Sequence, residues 1–139
     1  MVFSDTQLNQ IYDRTSGYCH ICHKKLAFKN YGVLGARGAW EVEHSNAQVK
    51  GGTNRLNNLY PACIRCNRSK GASSTSSARA KNGKFRAPLS TEKRKAVKTE
   101  GALVGGATGA AIGSIFGPAG ILVGALFGAH LGRKKNPDK

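Results

Sequence analysis

The chain contains few acidic residues. Seven Asp and Glu stand against 22 Lys and Arg in 139 residues, which gives a formal net charge of +15. An excess of this size favours polyanionic partners, either nucleic-acid phosphates or anionic lipid. The charge alone does not distinguish DNA, RNA and membrane.

Two other features are missing. The N-terminal residues lack the basic and apolar regions of a secretory signal. No cysteine is left over beyond two Cys-x2-Cys pairs, Cys19/Cys22 and Cys63/Cys66. Two such pairs can complete a tetrahedral Zn²⁺ site, and disulfides within or between the pairs are the alternative. Residues 1–71 are too few to bury a large core, so a structural zinc answers a physical need.

The pattern of apolar and turn residues predicts an α+β fold in four segments. These are a small domain at 1–71, a basic flexible linker with a short helix at 72–100, a glycine-rich hydrophobic segment at 101–132 and a basic tail at 133–139. Capping residues and periodicity predict helices over Ser4–Arg14, Ile64–Lys70 and Ser90–Thr99. Alternation predicts strands over Ala39–Glu43 and Leu59–Pro61, the second ended by its proline.

The segment 101–132 has no charged side chain and contains ten glycines. Most of the glycines recur at every fourth residue, which gives two short helices a smooth face that allows close approach in lipid. We predict membrane association or passage by this glycine zipper, with oligomerisation open. The alternatives are a buried hairpin in a soluble assembly, a disordered tail or a part of the domain core. The two halves would be about 25 and 21 Å long as helices, short of a ~30 Å hydrocarbon layer.

One set of motifs carries a family resemblance. The run Trp40–His44 (WEVEH), the loop Gly51–Asn54, the triplet Asn57–Leu59 and the run Cys63–Gly71 resemble the HNH endonuclease family over about residues 19–71. The resemblance implies a ββα-metal fold, in which two antiparallel strands and a helix surround one catalytic cation. In the variant with paired Cys-x2-Cys turns, a structural zinc lies beside that centre.

The resemblance also implies roles for single residues. His44 would be the general base that takes a proton from the attacking water, and Asn58 would orient the loop and His44. Glu43 and Asn67 would bind the catalytic cation, with Glu41 as the alternative carboxylate. Such an oxygen-donor site with open positions suits Mg²⁺ or Mn²⁺.

The remaining side chains near these motifs have simpler expected roles. The cations expected to contact DNA phosphates are Arg37, Arg65, Arg68 and Lys70. His20 and His23 are expected to be solvated, with replacement of a cysteine in the zinc site as the alternative, and Trp40 is expected to pack in the core rather than to stack on a base.

The combination favours a DNase of low sequence specificity that acts as an interbacterial toxin. The glycine zipper would help it cross the inner membrane into the cytoplasm of the target bacterium, and an acidic immunity protein would protect the producer. The first alternative is a phage or mobile-element HNH nuclease with a membrane or assembly tether. The others are a non-catalytic zinc-knuckle nucleic-acid-binding protein and a membrane-perturbing protein with a vestigial nuclease part.

Overall fold

A computed structural model describes residues 2–100. Within them the fold is α+β, as predicted, with a two-stranded antiparallel sheet and short helices. The elements in chain order are α1 (Asp5–Asp13), β1 (Trp40–His44), β2 (Leu59–Cys63), α2 (Ile64–Lys70) and α3 (Thr75–Ala80). Single 3-10 turns occur at Phe28–Asn30, Gln48–Lys50 and Leu56–Asn58.

Helix α1 begins at a capping box, as its sequence indicates. The Ser4 hydroxyl accepts a hydrogen bond from the Gln7 backbone N–H at 3.3 Å, and the Gln7 side chain accepts one from the Ser4 N–H at 3.0 Å. Leu8 and Ile11 are the buried face of the helix. Gly17 then turns the chain with φ of 70°, where a β-carbon would strike the Tyr12 ring, so only glycine fits between α1 and the first Cys pair.

Strand β2 extends further than predicted. Pro61 does not end it, because the strand continues to Cys63, with Val42 opposite Pro61. The Pro61 carbonyl accepts a hydrogen bond from the His20 N–H at 3.0 Å, so this position faces away from β1. The missing N–H of proline therefore removes no hydrogen bond from the sheet, and the prediction that proline ends the strand is wrong.

The core forms around Trp40, which is fully buried at the start of β1, as expected. Its ring packs against Tyr12 and Tyr31 at centroid distances of 5.4 and 5.0 Å, and its indole N–H donates to the Phe28 carbonyl at 3.1 Å. The indole N–H is therefore satisfied inside the core. This packing holds β1 against α1 and the long connection that precedes the strand.

The segment predicted as a flexible linker is partly ordered. It contains α3, capped by the Ser74 side chain, with Thr75 and Ala78 buried, and the first compact unit of the chain reaches Thr91. The Thr91 hydroxyl donates to the Asp13 carboxylate at 3.0 Å, and the Ser16 hydroxyl donates to the Leu89 carbonyl at 3.0 Å. Hydrogen bonds and one core residue, Ala78, attach this segment, and a single apolar contact of this kind gives no hydrophobic periodicity.

A second unit begins at Glu92, and residues 91–100 are helical, close to the predicted helix Ser90–Thr99. Among residues 2–100 no helix combines the length and apolar character needed to cross a bilayer. The predicted glycine zipper at 101–132 and the basic tail at 133–139 lie outside the described residues.

Candidate functional site

The four cysteines converge on one point. Cys19 and Cys22 lie in the turn after α1, Cys63 ends β2, and Cys66 lies in α2. Their sulfur atoms all lie within 4.8 Å of one another, and the Sγ atoms of Cys22 and Cys63 are 3.8 Å apart. A tetrahedral zinc with Zn–S bonds of about 2.3 Å places its sulfurs about 3.8 Å apart. All four are free cysteines rather than disulfides, so the cluster fits the predicted structural zinc.

The protonation of these thiols points to the same conclusion. Hydrogen bonds from Cys19 hold the pKa of Cys63 at about 7, and bonds from Cys19 and Cys63 lower the pKa of Cys22. Hydrogen bonds to Cys22 and Cys63 raise the pKa of Cys19, and hydrogen bonds to Cys19, Cys22 and Cys63 raise the pKa of Cys66, because these two thiols donate and are held protonated. A dication in the centre would take the place of the shared protons and would let every cysteine bind it as a thiolate.

His44 ends β1 with one ring nitrogen already engaged. Its Nε2 lies 2.8 Å from the side-chain oxygen of Asn54, which also accepts from the Gln48 amide at 3.1 Å. An amide oxygen only accepts, so Nε2 carries a proton, and in the neutral imidazole the lone pair is on Nδ1. A neutral imidazole oriented in this way can accept a proton at Nδ1. Asn54 lies in the loop Gly51–Asn54 of the family resemblance, but its contact with His44 was not predicted.

Asn58 fixes the loop that follows His44. Its side-chain oxygen accepts from the Asn46 N–H at 2.7 Å, and its amide nitrogen donates to the carbonyls of Asn46 and Thr53 at 3.0 and 2.8 Å. The loop closes tightly at Gly52, where any β-carbon would collide with the Asn46 carbonyl. Asn58 therefore acts on the loop, and Asn54 makes the direct contact with His44.

Glu41 and Asn67 meet on the face of β1 that α2 covers. The Asn67 amide nitrogen donates to Glu41 Oε2 at 2.9 Å, and the Arg68 guanidinium lies 3.3 Å from Glu41 Oε1. The Glu41 side chain is 27% exposed, so solvent reaches this pair. If the Asn67 amide turned over, its oxygen would lie beside the Glu41 carboxylate, and a carboxylate with an amide oxygen is a donor set that suits Mg²⁺ or Mn²⁺.

Glu43 lies on the same face of β1 but is buried, with 2% of its side chain exposed. His20 Nε2 lies 2.5 Å from its Oε2, and Lys70 Nζ lies 2.7 Å from its Oε1. Burial tends to raise the pKa of Glu43, but the contact with His20 and the Lys70 charge hold it below its ordinary value. The carboxylate is thus ionised inside the protein, with Lys70 at Oε1, while Oε2 faces His20 Nε2 without an aligned hydrogen bond.

His20 is not solvated, which corrects the sequence expectation. It is fully buried, its ring stacks on Tyr60 at 4.9 Å, and its Nδ1 lies 3.2 Å from the Arg79 guanidinium. Arginine can only donate, so Nδ1 accepts, and the proton of the neutral ring is on Nε2, which faces the Glu43 carboxylate. Burial lowers the pKa of His20 despite the neighbouring carboxylate, which keeps the ring neutral. The sequence gives one sign of this arrangement. Glu43 is a second carboxylate on the face of β1 that α2 covers, and a carboxylate buried there requires polar partners.

Lys70 also differs from its prediction as a phosphate contact. Its side chain is 1% exposed, and its ammonium contacts Glu43 and donates to the His44 carbonyl at 3.1 Å. Burial therefore keeps it from a phosphate at the surface. The other three predicted contacts, Arg37, Arg65 and Arg68, are exposed.

Arg65 and Arg68 line an open groove of about 450 Å³ beside the Glu41–Asn67 pair. The loop that contains Leu34 and Gly35 also lines the groove, as do Lys24 and Lys25. The groove thus has four cationic side chains in its lining, and such a groove attracts a polyanion.

The comparison with protein families agrees with the geometry. Residues 19–73, less than half of the chain, match the family model of the HNH endonucleases. Neither the curated proteins nor the solved structures contain a significant match. The chain therefore contains an HNH endonuclease domain, a nuclease module with a cysteine cluster suited to zinc, and a nucleic acid is its substrate.

Proposed function

We propose that this domain is a divalent-metal-dependent endonuclease that hydrolyses DNA phosphodiester bonds with low sequence specificity. The observation that carries the proposal is the orientation of His44. Its Nε2 is held by Asn54 at 2.8 Å, which leaves Nδ1 as the nitrogen able to accept a proton. In this proposal His44 is the general base, and Asn58 keeps the loop in the shape that holds Asn54 in place.

The mechanism requires His44 to remove a proton from a water molecule as that water attacks phosphorus. A carboxylate of β1, from Glu41 or Glu43, and the amide oxygen of Asn67 would hold the catalytic cation. When bound, Mg²⁺ or Mn²⁺ supplies Lewis-acid stabilisation of the charge that develops on the phosphate oxygens. The zinc cluster takes no part in the chemistry and holds β2 and α2 against the first Cys-x2-Cys turn.

The basic groove supports a substrate contact that is mainly with the phosphate backbone. Lys24, Lys25, Arg65 and Arg68 can neutralise phosphates there, and the exposed Arg37 belongs to the loop that also lines the groove. Phosphate contacts position a nucleic acid without reading its sequence. Low sequence specificity and a steep loss of affinity with salt follow from such an interface.

The choice of DNA is tested by presenting the zinc-loaded protein with supercoiled plasmid and with an RNA transcript of the same sequence, both with Mg²⁺. We expect the plasmid to be nicked or linearised at many positions, and the transcript to be cleaved much more slowly. Cleavage of the transcript alone would reject the DNA assignment but keep the nuclease.

For the whole chain we propose a toxin delivered between bacteria that acts in the cytoplasm of the target cell. Two features of the sequence support this role. The net charge of +15 suits a polyanion such as DNA, and the glycine pattern of residues 101–132 suits membrane passage, which would bring the nuclease to chromosomal DNA. A producer of a nonspecific DNase needs protection, so an acidic immunity protein that covers the basic groove is the expected partner.

A chain that ends at residue 100 tests the role of the tail. We expect it to cleave plasmid in vitro at the full rate but to kill target cells poorly when it arrives from outside. Replacing Gly109, Gly113, Gly124 and Gly128 by Leu should have the same effect, because it keeps the segment apolar but blocks close helix approach. Expression inside the target cytoplasm is the control and should restore killing. Full killing from outside by the shortened chain would contradict membrane passage.

A further inference from the structure

Ser45, the residue that follows His44, is bonded to two separate parts of the domain. Its backbone N–H donates to the Asn58 carbonyl at 2.9 Å, in the turn before β2. Its carbonyl accepts from the Thr75 hydroxyl at 3.1 Å, and its own Oγ lies 3.0 Å from Thr75 Oγ1. The backbone just beyond the proposed general base is therefore fixed from two sides.

The hydrogen atoms of the two hydroxyls can be assigned. A carbonyl oxygen only accepts, so the single hydroxyl hydrogen of Thr75 is used in the bond to the Ser45 carbonyl. Thr75 Oγ1 then accepts from the Ser45 hydroxyl, and the two side chains form a reciprocal pair. Thr75 is 8% exposed, so removal of its hydroxyl would leave the Ser45 carbonyl and hydroxyl without this partner in a largely buried place.

Thr75 presents its hydroxyl from a helix that is anchored independently of the loop after His44. The Ser74 side chain caps α3 and so starts the helix at Thr75. Ala78 on the same helix belongs to the hydrophobic core, and the Arg79 guanidinium donates to the His20 carbonyl at 2.8 Å in the first Cys-x2-Cys turn. A hydroxyl on a helix that is held by the core and by the zinc turn is a rigid support for its partner.

These contacts come from outside the part of the chain that matches the HNH family model, which ends at residue 73. We infer that Thr75 is a positioning residue of the nuclease. From α3 it holds Ser45, and through Ser45 it keeps the His44 imidazole where it can accept a proton from the attacking water. The inference rests on the proposed function of His44 and adds α3 to the catalytic domain. Displacement of a reacting group by about 1 Å can lower a rate by about 10²-fold, so this support bears directly on catalysis.

Thr75→Val and Thr75→Ser form a matched pair, because the first keeps the shape of the side chain without its hydroxyl and the second keeps the hydroxyl. We expect Thr75→Val to lower the rate of plasmid cleavage at saturating DNA and Mg²⁺ by about tenfold or more. The DNA concentration at half-maximal rate should not change, because Thr75 acts on His44 rather than on the substrate. Thr75→Ser should cleave at close to the wild-type rate, since both bonds to Ser45 can still form.

Thr91→Val is the control for a loss of stability alone. The Thr91 hydroxyl donates to the Asp13 carboxylate at 3.0 Å, so this variant removes a bond that also ties the segment after α2 to the domain, but at α1. We expect it to lower the melting temperature without lowering the rate. Three results would overturn the inference: a wild-type rate in Thr75→Val, a rate in Thr75→Ser as low as in Thr75→Val, or an equal loss of rate in Thr91→Val.

Amide hydrogen exchange gives a measurement that does not depend on cleavage. In Thr75→Val the Ser45 N–H should exchange faster than in the wild-type protein, because the loop after His44 opens more readily, while the N–H groups of α1 keep their protection. An inactive wild-type protein would reject the proposed function. Equal exchange of the Ser45 N–H in the two proteins would reject the positioning role instead, whether or not the protein cleaves DNA.

Thr75→Ala provides a second variant if Thr75→Val does not fold. It removes the same hydroxyl without placing a methyl group against the Ser45 carbonyl. We expect the same loss of rate and the same faster exchange of the Ser45 N–H. A wild-type rate in Thr75→Ala, or unchanged exchange, would overturn the inference.

Discussion

Replacing His44 by Ala is expected to lower the rate of DNA cleavage by about 10²–10⁴-fold, the usual contribution of a general base. The fold and the zinc content should not change, because the ring is only half-buried and its Nε2 bonds to one surface loop residue, Asn54. Rates on supercoiled plasmid at saturating Mg²⁺ measure the effect, and thermal melting with zinc analysis confirms the integrity of the variant.

Asn54→Ala is the matched control for this result. It keeps the imidazole but removes the acceptor that sets its orientation, so the rate should fall by less than in His44→Ala. Cleavage by His44→Ala at close to the wild-type rate would exclude His44 as the base. A larger loss in Asn54→Ala than in His44→Ala would show that the loop, rather than the ring, is essential.

Replacing Cys63 by Ser should abolish the folded domain rather than only its activity. Cys63 joins the end of β2 to the start of α2, and its thiol lies 3.8 Å from that of Cys22. Structural zinc contributes about 10–16 kcal/mol of apparent binding free energy, which equals or exceeds the 5–15 kcal/mol stability of a typical domain. We expect about one zinc per wild-type chain, none in the variant, and loss of its cooperative melting transition.

Wild-type protein stripped of zinc by a strong chelator is the control for this variant. It should melt like Cys63→Ser and should recover its transition when zinc is returned, whereas the variant should not. A wild-type protein with no zinc, or a variant that still melts cooperatively, would show that the cysteine cluster does not carry the stability.

Local features of the fold could be predicted from the sequence because neighbouring residues determine them. The predicted bounds of α2, Ile64 and Lys70, are confirmed, and of the two candidate caps of α1, Ser4 and Asp5, the structure uses Ser4, since a turn motif and a capping side chain act over a few residues. The zinc cluster could also be predicted from the sequence, for a related reason. Each Cys-x2-Cys turn places two thiols together, and a small domain needs a metal to join two such turns.

Features that depend on distant segments could not be predicted in the same way. The alternation of β1 places Glu41 and Glu43 on one face but does not say which of them α2 and the Cys19–Cys22 turn will bury. His20 and Lys70 were each expected at the surface, and only the packing of three segments brings them to Glu43. The order of residues 74–91 was missed because single hydrogen bonds and the one core residue Ala78 attach them, and these leave no periodic pattern.

The central claim is that zinc builds the domain and a second, exchangeable cation enables its chemistry. Cleavage of supercoiled plasmid by the zinc-loaded protein, with and without added Mg²⁺, tests it most directly when the melting transition is recorded in both conditions. We predict cleavage only with Mg²⁺, loss of cleavage when Mg²⁺ is withdrawn, and the same cooperative melting transition throughout. Cleavage at the full rate with zinc alone, or no cleavage of any nucleic acid with Mg²⁺ or Mn²⁺ present, would contradict the account.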